Sequence, residues 1–480
     1  MTPFVWILGI YVTLVLLVGL AASRRSSESS EEYFLAGRGL GAVVLFMALF
    51  GTNCTAFVLV GVPGRAYHDG VGVFGVNAPI VALGIPLSFW LIGVPARRLA
   101  LQLGALTPAE LYAKRLGSRA VGMLLFVVFT VYTLPYMVTA VDGAARTLTQ
   151  VTEGAVSEVA GGLGVLLVAL IYTSLGGMRA TAWTNVLQGA LFMIFMGTAF
   201  FLMADSMGGF AAATDAVREV KPELLTLPDR GLYEPRAWTS WSLAISLTVI
   251  AFPHMLVRLF AARSEQSIVS ICRLYPVALI ALWLPAVMLG VWGAALYPGL
   301  EGRASDGIFS MMITGQLPPM LAAMGFLAVL AAVMSTLDAQ LLTLGSMLTR
   351  DVMRPSQSSN GVRAGRMFGV LVAVAVFVLW RVLGDSIFGT ASIAFSGYVT
   401  LAPTLFCGVR WQRFNAQAAM ASIVIGNAVY FLCLSGSDQL AGAALAPSWL
   451  GFLPVWWGFL AAVAAAWIVP YLTPTRRSES

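Results

Sequence analysis

Long apolar runs joined by short polar connections make up most of this chain. Thirteen runs are long enough, at roughly 20 residues each, to cross the hydrocarbon core of a membrane as helices. They cover residues 3–22, 41–67, 72–95, 120–147, 160–177, 184–204, 239–260, 272–297, 318–349, 366–383, 388–409, 415–436 and 450–472. The pattern predicts an all-α integral membrane protein with about 13 transmembrane helices.

Composition agrees with a membrane protein and excludes most soluble classes. Of the 480 residues, 59% are hydrophobic and 10% charged, with a mean hydropathy of +0.85. The four cysteines are scattered, which indicates neither a disulfide framework nor a zinc site. No phosphate-binding loop, catalytic carboxylate pair or nucleophilic triad is present, so we do not expect an enzyme. Because no basic residue precedes the first apolar run, we expect that run to be a retained helix and not a signal peptide.

Basic residues predict how the chain is oriented. Twenty of the 28 Lys and Arg residues fall in one set of alternate connections. By the positive-inside rule these connections are expected to be cytoplasmic, with the N-terminus outside and the C-terminus in the cytoplasm. The expected location is the inner (plasma) membrane of the cell. The twenty are Arg24, Arg25, Arg38, Arg97, Arg98, Lys114, Arg115, Arg119, Arg179, Arg258, Arg263, Arg273, Arg350, Arg354, Arg363, Arg366, Arg410, Arg413, Arg476 and Arg477.

Two of the predicted helices are interrupted. The first contains Gly51 followed by short polar side chains in residues 50–55, and the other contains Pro253 in its middle. Each interrupted helix opens a block of five predicted spans, over residues 41–204 and 239–409. Non-helical backbone at membrane depth is tolerated only where protein buries it or where it lines a cavity. Such a pair is typical of an inverted-repeat transporter with its site at the midplane.

A third polar feature lies in the long apolar run 318–349. Ser335 and Thr336 are adjacent, and helix geometry places the carbonyl of Ala332 between their two hydroxyls. Asp338 lies on the far flank of Ser335. The residues alone leave two interpretations open: a cation site, or polar contacts that hold helices together.

Several short motifs, in order, resemble the sodium/solute symporter family over residues 33–410. They are residues 33–38 (YFLAGR), 171–180 (IYTSLGGMRA) with 183–185 (WTN) and Gln188, Pro253 and His254 with Arg258, and 332–336 (AVMST) with Arg350 and Asp351.

The resemblance implies a core like that of the leucine transporter in the APC superfamily. That core has two inverted repeats of five helices, and its first and sixth helices are broken. The expected organisation is an extra N-terminal helix and cytoplasmic loop (1–40), a first repeat (41–204), an extracellular loop (205–238), a second repeat (239–409), and two further helices with a short tail (410–480).

The resemblance also implies a sodium site. Carried over to this chain, its ligands are carbonyls of Gly51, Cys54 and Ala332 and the hydroxyls of Ser335 and Thr336. Many members carry Asp where this chain has Asn185, and that acid is tied to a second cation. We therefore expect one sodium ion per cycle, with Asp338 and Asn185 as candidate coupling residues.

The substrate cavity of this fold lies between the broken helices and the third and tenth core helices. The proline transporters have Asp at the position of Asn53 and larger aromatic residues at Ile245 and Val249, which argues against proline here. A short organic acid, such as a monocarboxylate, is the expected solute. The candidate residues are Thr52, Asn53, Thr55, Tyr132, Tyr136, Thr139, Phe252, His254, Phe395, Ser396 and Tyr398.

The expected function is sodium-coupled import of a small polar solute by alternating access. An amino acid, pantothenate or a sugar is the alternative solute, and a proton-coupled symporter or a transporter-like solute sensor is the alternative class. The expected partners are sodium, the solute and the lipid bilayer. Neither a nucleic acid nor an obligatory protein partner is expected.

Overall fold

The computed structural model describes residues 2–23, 30–353, 359–382, 386–434 and 444–473, and these are almost entirely helical. The predicted all-α class is confirmed. The helices are α1 Thr2–Ser23, α2 Ser30–Leu35, α3 Ala42–Asn53, α4 Val62–Asp69, α5 Gly72–Ser88, α6 Val94–Gln102, α7 Pro108–Arg115, α8 Arg119–Val151, α9 Glu158–Ser206, α10 Phe210–Val220, α11 Pro235–Ala251, α12 Pro253–Phe260, α13 Glu265–Leu296, α14 Ile308–Gln316, α15 Pro319–Met347, α16 Ser359–Val382, α17 Ile387–Val399, α18 Ala402–Arg410, α19 Ala416–Leu434 and α20 Pro454–Leu472.

Many of these helices are long enough to cross a membrane. Ten described helices are long and apolar enough to cross a membrane, or up to twelve if each of two bent pairs counts as one span. A shorter apolar helix, Glu158–Ser174, lies where the fifth run was expected. The count of thirteen and the division into inverted repeats stay predictions.

The first bent pair joins Ala42–Asn53 to Phe57–Asp69 at an angle of 52°. Helix α3 ends because Cys54 leaves the helical conformation, with φ −92° and ψ 86°. The hydroxyl of Thr55 then accepts a hydrogen bond from the amide of Phe57 at 3.0 Å and so caps the next turn. The last carbonyls of α3 are left without helical donors.

The second bent pair joins α11 to α12 at 49°. Its break is the extended residue Phe252, with φ −66° and ψ 121°, followed by Pro253 at the start of α12. Proline has no amide hydrogen to continue the α11 ladder, and it disfavours a helical conformation for the residue before it. Both interruptions therefore fall where the sequence places them.

Helix α9 shows one difference from the sequence pattern. Residues 178–183, which separate two predicted spans, are helical, and the interruption is confined to Gly177 with φ 56° and ψ −152°. A Cβ atom there would lie 2.4 Å from the carbonyl oxygen of Tyr33. Glycine is required because it alone tolerates both the conformation and the close approach of α2.

Helix α15 lies at the centre of the molecule. It packs against α1, α3, α8, α9, α12 and α16. In its most apolar 18-residue segment, 83% of the residues are buried inside the protein. By contrast, α1 is 22% buried over its apolar window and exposes large apolar side chains such as Trp6 and Ile10. Such surfaces face lipid in a membrane protein. The polar residues of α15 therefore lie deep inside the protein.

The connections predicted to be cytoplasmic meet at one end of the molecule. Arg38 donates to the carbonyls of Ala105 and Phe260, and Arg97 donates to that of Ala262. At the other end, the long connection forms α10, and the amide of Val71 donates to the carbonyl of Leu224. Arg24, Arg25, Arg354, Arg476 and Arg477 lie outside the described residues.

Candidate functional site

A cluster of oxygen atoms joins α15 to the break after α3. The hydroxyl of Ser335 lies 2.9 Å from the carbonyl oxygen of Gly51 and 2.8 Å from that of Ala332. The hydroxyl of Thr336 lies 3.1 Å from the carbonyl oxygens of Thr52 and Ala332. Ser335, Thr336, Thr52 and Ala332 are 0% exposed. Five neutral oxygens therefore converge in a region that solvent does not reach.

The chemistry of this cluster suits a monovalent cation. Two hydroxyl hydrogens serve four short contacts, so the cluster has more acceptors than donors. A hard cation such as sodium takes oxygen ligands, and neutral oxygens at a helix break hold it weakly enough for release. Carboxylate clusters favour divalent ions instead, and the described residues contain no group of three or more His, Cys, Asp or Glu side chains that could hold a metal.

Four of the five predicted sodium ligands are brought together here. Gly51, Ala332, Ser335 and Thr336 lie in the cluster, while Cys54 lies at the break and is fully buried. The structure also places the carbonyl of Thr52 in the cluster, which the sequence did not predict. Thr52 was expected to line the substrate cavity, and its hydroxyl donates to the carbonyl oxygen of Ala48 on its own helix at 2.7 Å.

The candidate coupling residues lie beside the cluster. Asp338 is 0% exposed, and its Oδ2 accepts a hydrogen bond from Tyr172 at 2.9 Å. The amide of Asn185 lies 3.2 Å from the hydroxyl of Thr52 and so connects the cluster to Asp338. One sequence assignment is corrected here: Arg258 was counted with the loop charges, yet it is 1% exposed and lies beside Asp338.

A separate small cavity of about 30 Å³ lies between the two broken helices. None of its lining residues carries a charge, and most are aromatic or aliphatic. Its apolar lining with a few polar groups is typical of a small-molecule site, while the cavity itself has room for only about one water molecule. The lining residues are Asn53, Phe57, Val58, Asn77, Val81, Ile85, Tyr136, Ile245, Thr248, Val249, Phe252, Leu279, Trp283 and Phe395.

Aromatic rings close one side of this cavity. The rings of Tyr136 and Phe252 stack with centroids 5.0 Å apart, and Phe395 contacts Tyr136 edge-on at 5.3 Å and Phe57 at 5.0 Å. These rings come from the first break, from α8, from the second break and from α17. Closure therefore depends on both broken helices and on the third and tenth predicted core helices.

Four predicted substrate residues line the cavity: Asn53, Tyr136, Phe252 and Phe395. The others lie elsewhere, and their roles stay predictions. Thr55 caps a helix turn and Thr139 bonds to the carbonyl of Tyr136. Tyr132 bonds to Asn427, Tyr398 bonds to Thr133, His254 stacks on Phe252, and Ser396 is buried without a hydrogen-bond partner among the described residues.

Two polar residues of the cavity were not predicted from the sequence. Thr248, on α11, is 2% exposed, and its hydroxyl has no hydrogen-bond partner in the described part of the chain. Asn77, on α5, has both amide atoms engaged, by Trp241 at 2.9 Å and by the carbonyl of Val73 at 2.8 Å. Thr248 is therefore the freer group, and its place one turn before the break at Phe252 could have drawn attention to it.

The chain is similar in sequence to known sodium-coupled transporters. The model of the sodium:solute symporter family matches residues 33–426. The chain is 28% identical to the sodium/pantothenate symporter of Escherichia coli over 93% of this chain and 91% of that protein. It is 27% identical to the sodium/proline symporter of Salmonella typhimurium over 88% and 86%.

Among solved structures, a Na+-coupled sialic acid symporter in a substrate-bound outward-open state superposes with a TM-score of 0.80 at 18% identity, covering 100% of this chain and 99% of that one. That similarity shows the fold, and the family match covers most of the chain. This multi-pass membrane protein therefore belongs to the sodium:solute symporter family.

Proposed function

We propose that this symporter imports a small solute with a single carboxylate, together with one sodium ion bound between α15 and the break after α3. The observation that carries the proposal is the oxygen cluster of Gly51, Thr52, Ala332, Ser335 and Thr336. It joins a central helix to a broken one, so an ion bound there would change how firmly the two are held together. Cys54 remains a proposed further ligand.

The cavity supports a solute with an apolar body and few polar groups. Aromatic and aliphatic side chains dominate its lining, and Asn53 and Thr248 supply neutral polar atoms. A carboxylate needs a positive partner in such surroundings, and the N-terminal end of the half-helix α12 at Phe252 can supply one through its dipole. A short monocarboxylate fits these requirements with the least unpaired polarity.

The solutes named for the relatives support a carboxylate as the shared chemical group. Pantothenate, proline and sialic acid each carry one carboxyl group, although the rest of each molecule differs. We infer that the α12 end of the cavity receives the carboxylate and that the surrounding side chains select the rest of the solute. An amino acid, pantothenate or an acidic sugar is then a variation of the same binding mode.

The orientation proposed from the basic residues places the N-terminus outside and the C-terminus inside a bacterial inner membrane. It is supported by the meeting of Arg38, Arg97, Arg98 and Arg350 at one end of the molecule, where Arg98 pairs with Glu265 at 2.7 Å. Single cysteines introduced at Arg98 and at Glu223, in a background without the four native cysteines, would be labelled from opposite sides.

Uptake into proteoliposomes tests the proposed function. Liposomes are given an inward sodium gradient, an inward proton gradient or neither, and are supplied with radiolabelled pyruvate, propionate, proline, pantothenate or glucose. We expect accumulation of a carboxylate under the sodium gradient alone. Accumulation under a proton gradient alone would contradict sodium coupling, uptake of glucose but of no acid would contradict a carboxylate solute, and binding without uptake would indicate a sensor.

A further inference from the structure

A charged pair is buried beside the candidate sodium site. Arg258 Nη2 on α12 lies 3.6 Å from Asp338 Oδ1 on α15, and the two side chains are 1% and 0% exposed. Asp338 follows Thr336 by two residues. An ionised carboxylate removed from water needs a compensating charge. The pair therefore supplies that charge from within the protein, next to the position where a mobile cation is proposed to bind.

The carboxylate is surrounded by polar groups from several helices. Tyr172 donates to Asp338 Oδ2 at 2.9 Å and contacts the carbonyl oxygen of Met334 at 3.0 Å. With its amide oxygen facing Arg258, Asn185 accepts from Nη2 at 2.6 Å and donates to Asp338 Oδ2 at 3.2 Å. Gln188 lies next to Asn185 in this network at 2.9 Å.

Several atoms of the pair have no hydrogen-bond partner among the described residues. They are Oδ1 of Asp338 and Nε and Nη1 of Arg258. A pair serving only to fasten α12 to α15 would be expected to form a tight, two-pronged hydrogen-bonded contact. Here the contact with Asp338 is longer than a hydrogen bond, and Nη2 lies between the amide oxygen of Asn185 at 2.6 Å and the carboxylate of Asp338, which Tyr172 connects to the carbonyl oxygen of Met334. Such an oxygen set is one that a hard cation prefers.

We propose that the guanidinium of Arg258 is a tethered cation that occupies this second oxygen set and prevents a second sodium ion from binding there. The inference rests on the proposed function, since it takes the cluster at Ser335 and Thr336 as the one sodium site. Arginine is suited to the role because it stays charged in proteins. Arg258 thereby determines the number of sodium ions moved per solute.

The test counts sodium ions bound per purified protein molecule by equilibrium dialysis with radioactive sodium. We expect one ion for the unaltered protein and two for Arg258→Gln, because that change leaves Asp338 without its counter-charge. Arg258→Lys retains a cation and should bind one ion. Arg258→Gln with Asp338→Asn removes both charges and should also bind one. A count of one for Arg258→Gln, with folded protein, would overturn the proposal.

A second measurement covers the case in which Arg258→Gln does not fold. Asp338→Asn leaves an unpaired guanidinium near Ser335, so the half-saturating sodium concentration should rise roughly tenfold by repulsion. Adding Arg258→Gln to Asp338→Asn should restore it. An unchanged sodium affinity in Asp338→Asn would overturn the proposal. If the unaltered protein binds no sodium at all, the proposed function fails instead, which separates the two outcomes.

Discussion

The hydroxyl of Ser335 on α15 lies 2.9 Å from the carbonyl oxygen of Gly51 on α3 and joins the central helix to the helix that breaks two residues later. A hydroxyl has one hydrogen, which it can turn away so that its oxygen binds a cation. Sodium binding would therefore replace the hydrogen bonds between α3 and α15 by contacts to a shared ion. The same atoms can serve as interhelical contact and as ion site in turn.

Removal of either the Ser335 or the Thr336 hydroxyl should lower the apparent affinity for sodium. We expect Ser335→Ala and Thr336→Ala each to raise the half-saturating sodium concentration for uptake about tenfold or more, since each loses one of about five ligands. The measurement is initial uptake at a series of sodium concentrations. Ser346→Ala is the matched control, because Ser346 is equally buried on α15 but bonds only to Thr343 of its own helix at 2.7 Å. Unchanged sodium dependence in both variants would contradict the site.

The unpartnered hydroxyl of Thr248 should contact the solute. Thr248→Val keeps the shape of the side chain and removes the hydroxyl, so we expect the KM for solute to rise roughly five- to tenfold, the value of one hydrogen bond. The half-saturating sodium concentration should change little.

Thr404→Val is the control for that change. The hydroxyl of Thr404 is also buried without a partner among the described residues, but it does not line the cavity. Its replacement should leave KM unchanged. Equal effects of the two substitutions would show that the Thr248 hydroxyl has no direct role in binding.

The sequence predicts the α15 half of the candidate ion site better than the α3 half. Ala332, Ser335 and Thr336 share one helix, so their relative positions follow from helix geometry. Which carbonyls of the break face them depends on how α3 packs on α15, and for that reason the carbonyl of Thr52 was not anticipated. Burial of Arg258 was missed for a related reason: it lies near the end of a predicted span, where a charge usually reaches water.

The cavity residues were harder to predict than the ion site. Asn77 lies on a helix that is apolar nearly all round, and the hydroxyl side chains of α11 are spread around that helix, so no periodicity marks the face that meets the cavity. On a helix of a soluble protein, the polar face identifies the opposite face as the buried one. Here the positions that face lipid and those that face protein have similar composition. The interruption at Pro253 was predicted because proline acts on the local backbone, whereas α3 continues through Gly51 and ends at Cys54.

Glycine at position 177 should be required for stability. Gly177→Ala places a Cβ atom 2.4 Å from the Tyr33 carbonyl at a positive φ, and such backbone strain alone costs about 1–3 kcal/mol. We expect a lower melting temperature of the purified protein in detergent. Gly164→Ala on the same helix is the control, since nothing lies within 4 Å of its added Cβ. That substitution should be neutral or stabilising, because alanine favours helix. A Gly177→Ala protein as stable as its Gly164→Ala counterpart would contradict this account.

The carboxylate of Glu110 should make stability depend on acid pH. Burial raises its pKa, but hydrogen bonds from Arg350, from the amide of Leu106 and from Lys114 together lower the pKa below its ordinary value. Arg350 and Lys114 each lie 2.9 Å from Glu110 Oε1. Lys114 belongs to α7 itself, and the contact with Arg350 ties α7 to the turn that follows α15. A carboxylate with a lowered pKa stabilises the folded state above its unfolded pKa of about 4.3, and this contribution is lost as pH falls through the folded pKa.

Glu110→Gln should therefore lower the free energy of unfolding at pH 7 by about 1–2 kcal/mol, and the difference from the unaltered protein should shrink as pH falls below about 4.3. Melting temperatures in detergent between pH 7 and pH 3.5 measure both effects. Glu31→Gln is the control: Glu31 pairs with Arg38 at 2.8 Å, but its side chain is 53% exposed, so solvent screens the pair. A constant difference between Glu110→Gln and the unaltered protein across this pH range would show that the charge of Glu110 does not stabilise the contact between α7 and the turn that follows α15.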